Sequence, residues 1–233
     1  PGLFAGMAVG VVLSVIVAFL VGLPTLRLKG DYLAIATLGV AEIIRVAVTN
    51  MKLTNGAAGI SGVPLTNTWT ITYIALVVTT ILILNYTFSS AGRATYAVLQ
   101  DEIAAESMGV QVTKYKILAF VLGAATASIG GTLSATTLGA VTPSDFTFMK
   151  SIDVLIIVVF GGIGSFTGSF VAAVLLGIIN LVLQSFGQLR MIIYAVALIL
   201  IMIFRPGGLL GTWEFKLGDF KFSKKKETKE SGK

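Results

Sequence analysis

Long stretches without a single charged side chain decide what this chain can be. Residues 2–26 carry no charge, nor do residues 117–144 or residues 154–189. About 20 consecutive apolar residues make one helical crossing of a bilayer, and hydrocarbon admits almost no other open-chain backbone. Two further stretches, 32–49 and 69–88, are nearly as apolar. The first is interrupted only by Glu42 and Arg45, and the second is flanked by the interfacial aromatics Trp69 and Tyr86. The whole chain of 233 residues is 55% hydrophobic and only 12% charged, with a mean hydropathy of +0.93. Soluble domains carry about 25% charged residues, so the deficit of charge excludes a water-soluble surface.

The spans can be placed in order. Residues 2–26 supply the first, ended by Pro24 and the polar group Arg27, Lys29 and Asp31. Residues 32–49, 69–88 and 117–144 supply three more. The 36 residues of 154–189 fall short of the roughly 40 that two crossings and a turn require. The break at Gly161, Gly162, Gly164 and Ser165 predicts two short or tilted helices starting near Met149, the first of which is crossing or re-entrant. A last apolar run, 191–204, lies between Arg190 and Arg205, which lengthen it by snorkelling. The expected fold is therefore all-α, a polytopic transmembrane bundle of about seven segments. Residues 1–204 form the membrane domain, and 205–233 form a basic tail.

Charge orients the bundle. The tail holds eight basic residues against four acidic ones, and residues 89–116 form the most polar internal segment. With the tail inside, alternation puts Arg27, Lys29 and residues 89–116 inside as well. That side then carries 13 of the 17 Lys and Arg, as the positive-inside rule demands. The tail reads as an anchor at anionic lipid headgroups, not as a nucleic-acid site. The chain opens on Pro1 and is apolar from Gly2, which reads as a fragment or processed form; the lack of a charged n-region argues against a signal peptide.

Histidine and cysteine are both absent. Disulfides, thiolate chemistry and histidine bases are excluded with them, and no metal or cofactor is expected. No Gly-x-x-x-x-Gly-Lys-Ser/Thr segment exists, so this stretch does not hydrolyse ATP by that mechanism.

Five constellations invite a role. On a helical wheel of residues 92–109, Ala94, Ala97, Val98, Asp101, Ala105 and Met108 share one face; Tyr96, Leu99 and Ile103 form a ridge opposite. Such a helix can rest on the membrane domain with one face and enter a partner with the other, or simply be a solvated loop helix. Glu42 and Arg45, at i and i+3, can pair, and their cost in lipid predicts that they face the bundle interior. They read as a polar element of a solute path or as a structural ion pair. Gly56, Gly59, Gly62 and Pro64 punctuate an outer loop that is a gate, a docking rim or a connector. Gly161, Gly164 and Gly168, with Gly162, read as helix packing or a turn before a phosphate cradle. Hydroxyls on Thr126, Ser128, Thr132, Ser134, Thr136 and Thr137 face a solute or their own backbone.

Glu102-Ile103-Ala104-Ala105-Glu106-Ser107-Met108-Gly109 resembles the EAA-type coupling loop of bacterial ABC importer permeases. Residues 26–35 (Leu-Arg-Leu-Lys-Gly-Asp-Tyr-Leu-Ala-Ile), 42–45 (Glu-Ile-Ile-Arg), 55–64 (Asn-Gly-Ala-Ala-Gly-Ile-Ser-Gly-Val-Pro), 159–165 (Val-Phe-Gly-Gly-Ile-Gly-Ser) and 204–211 (Phe-Arg-Pro-Gly-Gly-Leu-Leu-Gly) are similar to the branched-chain amino acid permease family of the LivM/LivH type, the LivM side being the closer likeness. The resemblance runs in the family's order across nearly the whole chain. It implies a translocation subunit in the bacterial inner membrane, carrying leucine, isoleucine or valine. It also implies a second permease subunit, two cytoplasmic ABC ATPases and a solute-binding protein as partners. ATPase closure would then push on Gly92, Arg93, Val98, Asp101, Glu102, Ala104, Ala105 and Gly109, and a bulky charge at Ala105 is expected to uncouple it. Sister importers for urea, short amides or sugars remain open. An ATP-independent channel or carrier is the rival class; a membrane enzyme lacks the groups to catalyse with.

Overall fold

The computed structural model describes residues 2–28, 30–162 and 164–183, with 196 and 199 as single positions. The chain divides into two compact units, the second beginning at Met149.

In the first unit, α1 (Gly2–Thr25) and α2 (Asp31–Asn50) follow one another, and Pro24 lies in the last turn of α1. Two 3-10 turns, Lys52–Thr54 and Gly56–Ala58, lead to β1 (Ile60–Ser61). After α3 (Trp69–Phe88) come two short helices, α4 (Ser90–Gln100) and α5 (Glu102–Ser107). The longest helix, α6 (Val112–Leu138), precedes β2 (Ala140–Val141). α1, α2, α3 and α6 are each long and apolar enough to cross a membrane. α6 begins five residues before the charge-free run starts, with Lys114 and Lys116 in its first turns. Lysine stems lie along apolar surface, so charge marks the edge of lipid and not the edge of a helix. It ends at Gly139, whose φ of 74° is the usual left-handed stop.

The seam of this unit joins α1 to α6, running antiparallel. Gly10 faces Ser128 and Thr132, Ser14 donates a 3.1 Å hydrogen bond to the Ala124 carbonyl, and Gly22 lies against the Phe120 ring. With buried Ala18, this is a small residue every fourth position, which brings two backbones together. On α6, Ala124 and Ser128 take part in this packing, whereas Gly123, Gly130 and Gly131 face open space.

At one end of the unit, β1 and β2 pair antiparallel, Ile60 opposite Val141 and Ser61 opposite Ala140. Val63 N–H donates to the Gly139 carbonyl at 3.0 Å. At the same end, the Asn67 amide reaches Thr72 and, on α6, Thr137 and the Leu133 carbonyl. These contacts join the two loops that charge alternation assigns to the outside.

The second unit contains α8 (Phe166–Leu183) and most of α7 (Phe148–Gly161). The two helices are bent by 120° at their break. At 1.5 Å per residue, the 14 residues of α7 reach about 21 Å, well short of the roughly 30 Å hydrocarbon core. Gly161 and Gly168 touch backbone to backbone, so that a Cβ on either would overlap the other. Ser165 supports the turn by accepting from Gly168 N–H at 3.0 Å. Phe160, Ala172 and Leu176 form the buried core beside it. Apart from positions 196 and 199, the expected seventh span lies outside the described residues, as does the basic tail, 205–233.

Candidate functional site

The polar segment between α3 and α6 is built from the end of α3 outward. Ser89 caps α4, its Oγ accepting from Gly92 N–H at 3.1 Å. Gly92 is buried so close to the Tyr86 and Thr87 carbonyls that a side chain there would collide with them. Arg93 donates to the Phe88 carbonyl at 3.0 Å and to Ser90 Oγ at 3.1 Å, satisfying a carbonyl left over at the end of α3. The Tyr86 hydroxyl lies 2.6 Å from Thr95 Oγ1, a second tie between α3 and α4.

The expected single helix over 92–109 is broken at Asp101. Its carboxylate accepts from Ile103 N–H at 2.8 Å and from Ala104 N–H at 3.0 Å, which makes it the N-cap of α5. A wheel assumes one unbroken phase, and the cap resets it. Val98 and Ala105 still point inward, 6% and 5% exposed. Asp101, Ala97 and Met108 do not share their face; Met108 is 85% exposed. Ala104 is exposed on the outer side of α5. Tyr96, Leu99 and Ile103 form the exposed apolar ridge the wheel placed opposite. Glu102 pairs with Lys116 at 2.5 Å, and Val110 N–H donates to the Ala105 carbonyl at 3.0 Å, so α5 is tied to the first turns of α6. Gly109, with φ of 83°, makes the turn between them. The Asp-Glu pair at 101–102 is an N-cap followed by an acid in the first turn, a signal the sequence carried.

Within α2, Glu42 and Arg45 do pair: Arg45 Nε donates to both carboxylate oxygens, at 3.1 and 2.9 Å, and a terminal nitrogen closes on Oε1. The pair does not face the packed interior. The Glu42 side chain is 52% exposed, and no residue of α2 is buried. The expectation assumed that one chain builds its own interior, whereas the described residues leave this side of α2 uncovered.

Gly56, Gly59 and Gly62 all have positive φ, and Gly59 packs against Val141 and Thr142 where a Cβ would not fit. Pro64 follows the strand pair and accepts from Thr66 N–H at 2.8 Å. The loop is thus pinned by backbone bonds along β1. In the second unit, Gly162 and Gly164 take the positive φ of the turn, while Gly161 and Gly168 make the close approach. Thr126, Thr132, Thr136 and Thr137 each donate to a carbonyl of α6 itself, leaving only acceptor lone pairs for anything else. Ser134 lines a cleft of about 420 Å³ between α3 and α6 with Asn67, Thr72 and Thr79.

The family described as the branched-chain amino acid transport system permease component matches residues 1–204. The chain belongs to that family. It is accordingly a multi-pass helical membrane protein. It is 37% identical to the high-affinity branched-chain amino acid transport system permease protein LivM of Salmonella typhimurium, with 84% of this chain and 55% of the relative covered. The corresponding LivM protein of Escherichia coli is 34% identical, with 90% and 57% covered. The permease protein LivH of Escherichia coli is 30% identical over 61% of this chain and 46% of its own length. The chain spans a little over half the length of these LivM relatives. No solved structure matches it.

Proposed function

We propose that this chain forms the translocating part of an ABC importer permease for branched-chain amino acids in the bacterial inner membrane, with its C-terminus in the cytoplasm. In this reading a second permease subunit completes the pathway. Two cytoplasmic ABC ATPases supply the energy, a solute-binding protein delivers the substrate, and no catalysis occurs on this chain. The names of the relatives support the solute class, and the positive-inside count supports the orientation.

The observation that carries the reading is the α4–α5 segment. Its inner side, Val98 and Ala105, is seated on the membrane helices, and its outer side, Tyr96, Leu99 and Ile103, is an apolar ridge with no cover among the described residues. Ties to the end of α3 and to Lys116 of α6 let a push on the ridge move two spans at once. Ala105 is therefore the wrong place to test coupling, since a bulky charge there unseats the segment from its own chain. Ile103→Asp, 76% exposed in the parent, puts a charge on the ridge instead. In the reconstituted complex, a contact residue of this kind is worth roughly 2 kcal/mol or more, so the affinity for the ATPases should fall about 30-fold and solute-stimulated ATPase should fall with it. Unchanged stimulation removes the coupling assignment. Uptake of urea, short amides or sugars in place of leucine would move the solute to a sister class, and uptake without ATP would favour a channel or carrier.

A further inference from the structure

On α2, successive residues turn by about 100°, which sets Asp31, Leu38, Glu42, Arg45 and Thr49 in one strip about 60° wide. Every charged residue of the helix is on it. In the first half of the helix the half-buried residues, Leu33, Ala36, Thr37 and Val40, are on the other side; toward its end Arg45, Val48 and Thr49 are half-buried too, Thr49 beside the Gly56 turn. Glu42 is about 16 Å along the axis from Asp31 and about 12 Å from Asn50, near mid-height of the span. Arginine can snorkel from such a depth, but a carboxylate on two methylenes cannot. A strip bearing that carboxylate is therefore excluded from lipid.

Dry protein is a poor cover as well. The ion pair engages Nε and one terminal nitrogen of Arg45; the other terminal nitrogen has no acceptor among the described residues. Sealing those N–H groups and the open carboxylate lone pairs under apolar side chains would leave them unsatisfied. Water can satisfy both.

We infer that this strip of α2 lines a water-filled path, and that Glu42 and Arg45 present adjacent opposite charges to a zwitterionic solute in transit. The solute half of this statement rests on the importer reading, and the water half does not.

The described stretch has no cysteine of its own, so an introduced thiol is unique within it. Leu38→Cys, Val46→Cys and Thr49→Cys lie on or beside the strip. Ile43→Cys is on another side of α2, equally uncovered in this chain at 67% exposure, and Val40→Cys is on the packed side. In membranes holding the assembled transporter, a membrane-impermeant maleimide is applied and labelling is read on this subunit. The thiolate, which forms in water and not in hydrocarbon, adds to the maleimide double bond, so the strip cysteines should react at least about tenfold faster than Ile43→Cys and Val40→Cys. A silent strip overturns the inference, as does equal reaction at Ile43→Cys. The uptake assay separates the two proposals. Labelling of the strip without leucine uptake sinks the importer reading and leaves the water path; leucine uptake with a silent strip does the reverse.

Discussion

α1 and α2 are consecutive spans of similar length in one compact unit, yet they are finished to different degrees. α1 has no charge and buries Ala18, Gly22 and Thr25 along its seam with α6. α2 carries three charges and buries nothing. The first is held by its own chain through close backbone approach, the way membrane helices associate when water offers no hydrophobic drive. The second is held loosely and shows a charged strip outward. One helix is scaffold, and the other keeps a face for something beyond these residues.

The largest expected effect breaks the scaffold. A Cβ at Gly22 would already stand 3.3 Å from the Phe120 ring, whereas one at Gly39 on α2 would meet nothing within 4 Å. Gly22→Leu overfills the seam and should cost about 1–3 kcal/mol or more, with loss of folded protein in a detergent-unfolding assay. Gly39→Leu should be close to neutral in the same assay. Equal damage at both positions would erase the distinction and mean that α2 is packed as tightly as α1 by some other element.

A smaller effect concerns the sign of a rescue. While α2 enters the bilayer, before any path is assembled around it, Glu42→Ala leaves Arg45 without its partner, and an unpaired charge at that stage is worse than none. The double variant Glu42→Ala/Arg45→Ala should accumulate in the membrane better than the single one. If the double variant accumulates no better, or less, the two residues are not a coupled pair in the membrane, and the strip loses its chemistry.

How much of this was readable beforehand follows from which physics each feature uses. Lipid filters on charge, so the spans at 2–26, 32–49 and 69–88 are visible as composition, and α1, α2 and α3 fall on them within a few residues. The family resemblance was legible in part because some of its motifs contain glycines that the backbone demands, as at Gly59, Gly162 and Gly164. Helix phase was less legible. The break at Asp101 takes Met108 off the inner side of the segment, although the capping pair at 101–102 announced it. The long-range ties were not legible at all. Nothing in the neighbourhood of Glu102 names Lys116, fourteen residues on, and the direction in which the Glu42–Arg45 pair faces depends on which helices this chain can gather around α2.

The smallest effect separates two ways of holding the scaffold. Ser14→Ala removes the hydrogen bond to the Ala124 carbonyl but keeps the residue small, so α1 and α6 can still approach. Interhelical hydrogen bonds in membranes average about 0.6 kcal/mol and reach at most about 1.7 kcal/mol, because the separated helices also find partners. The same unfolding assay should therefore register a loss of about 0.6 kcal/mol, well below that of Gly22→Leu. A loss as large as that of Gly22→Leu would mean that the polar contact, not the spacing of small side chains, holds α1 to α6. The contrast with α2 would then be one of hydrogen bonding, and the Thr49 hydroxyl, which donates to the Arg45 carbonyl within its own helix, would be one donor that α2 does not offer to a neighbour.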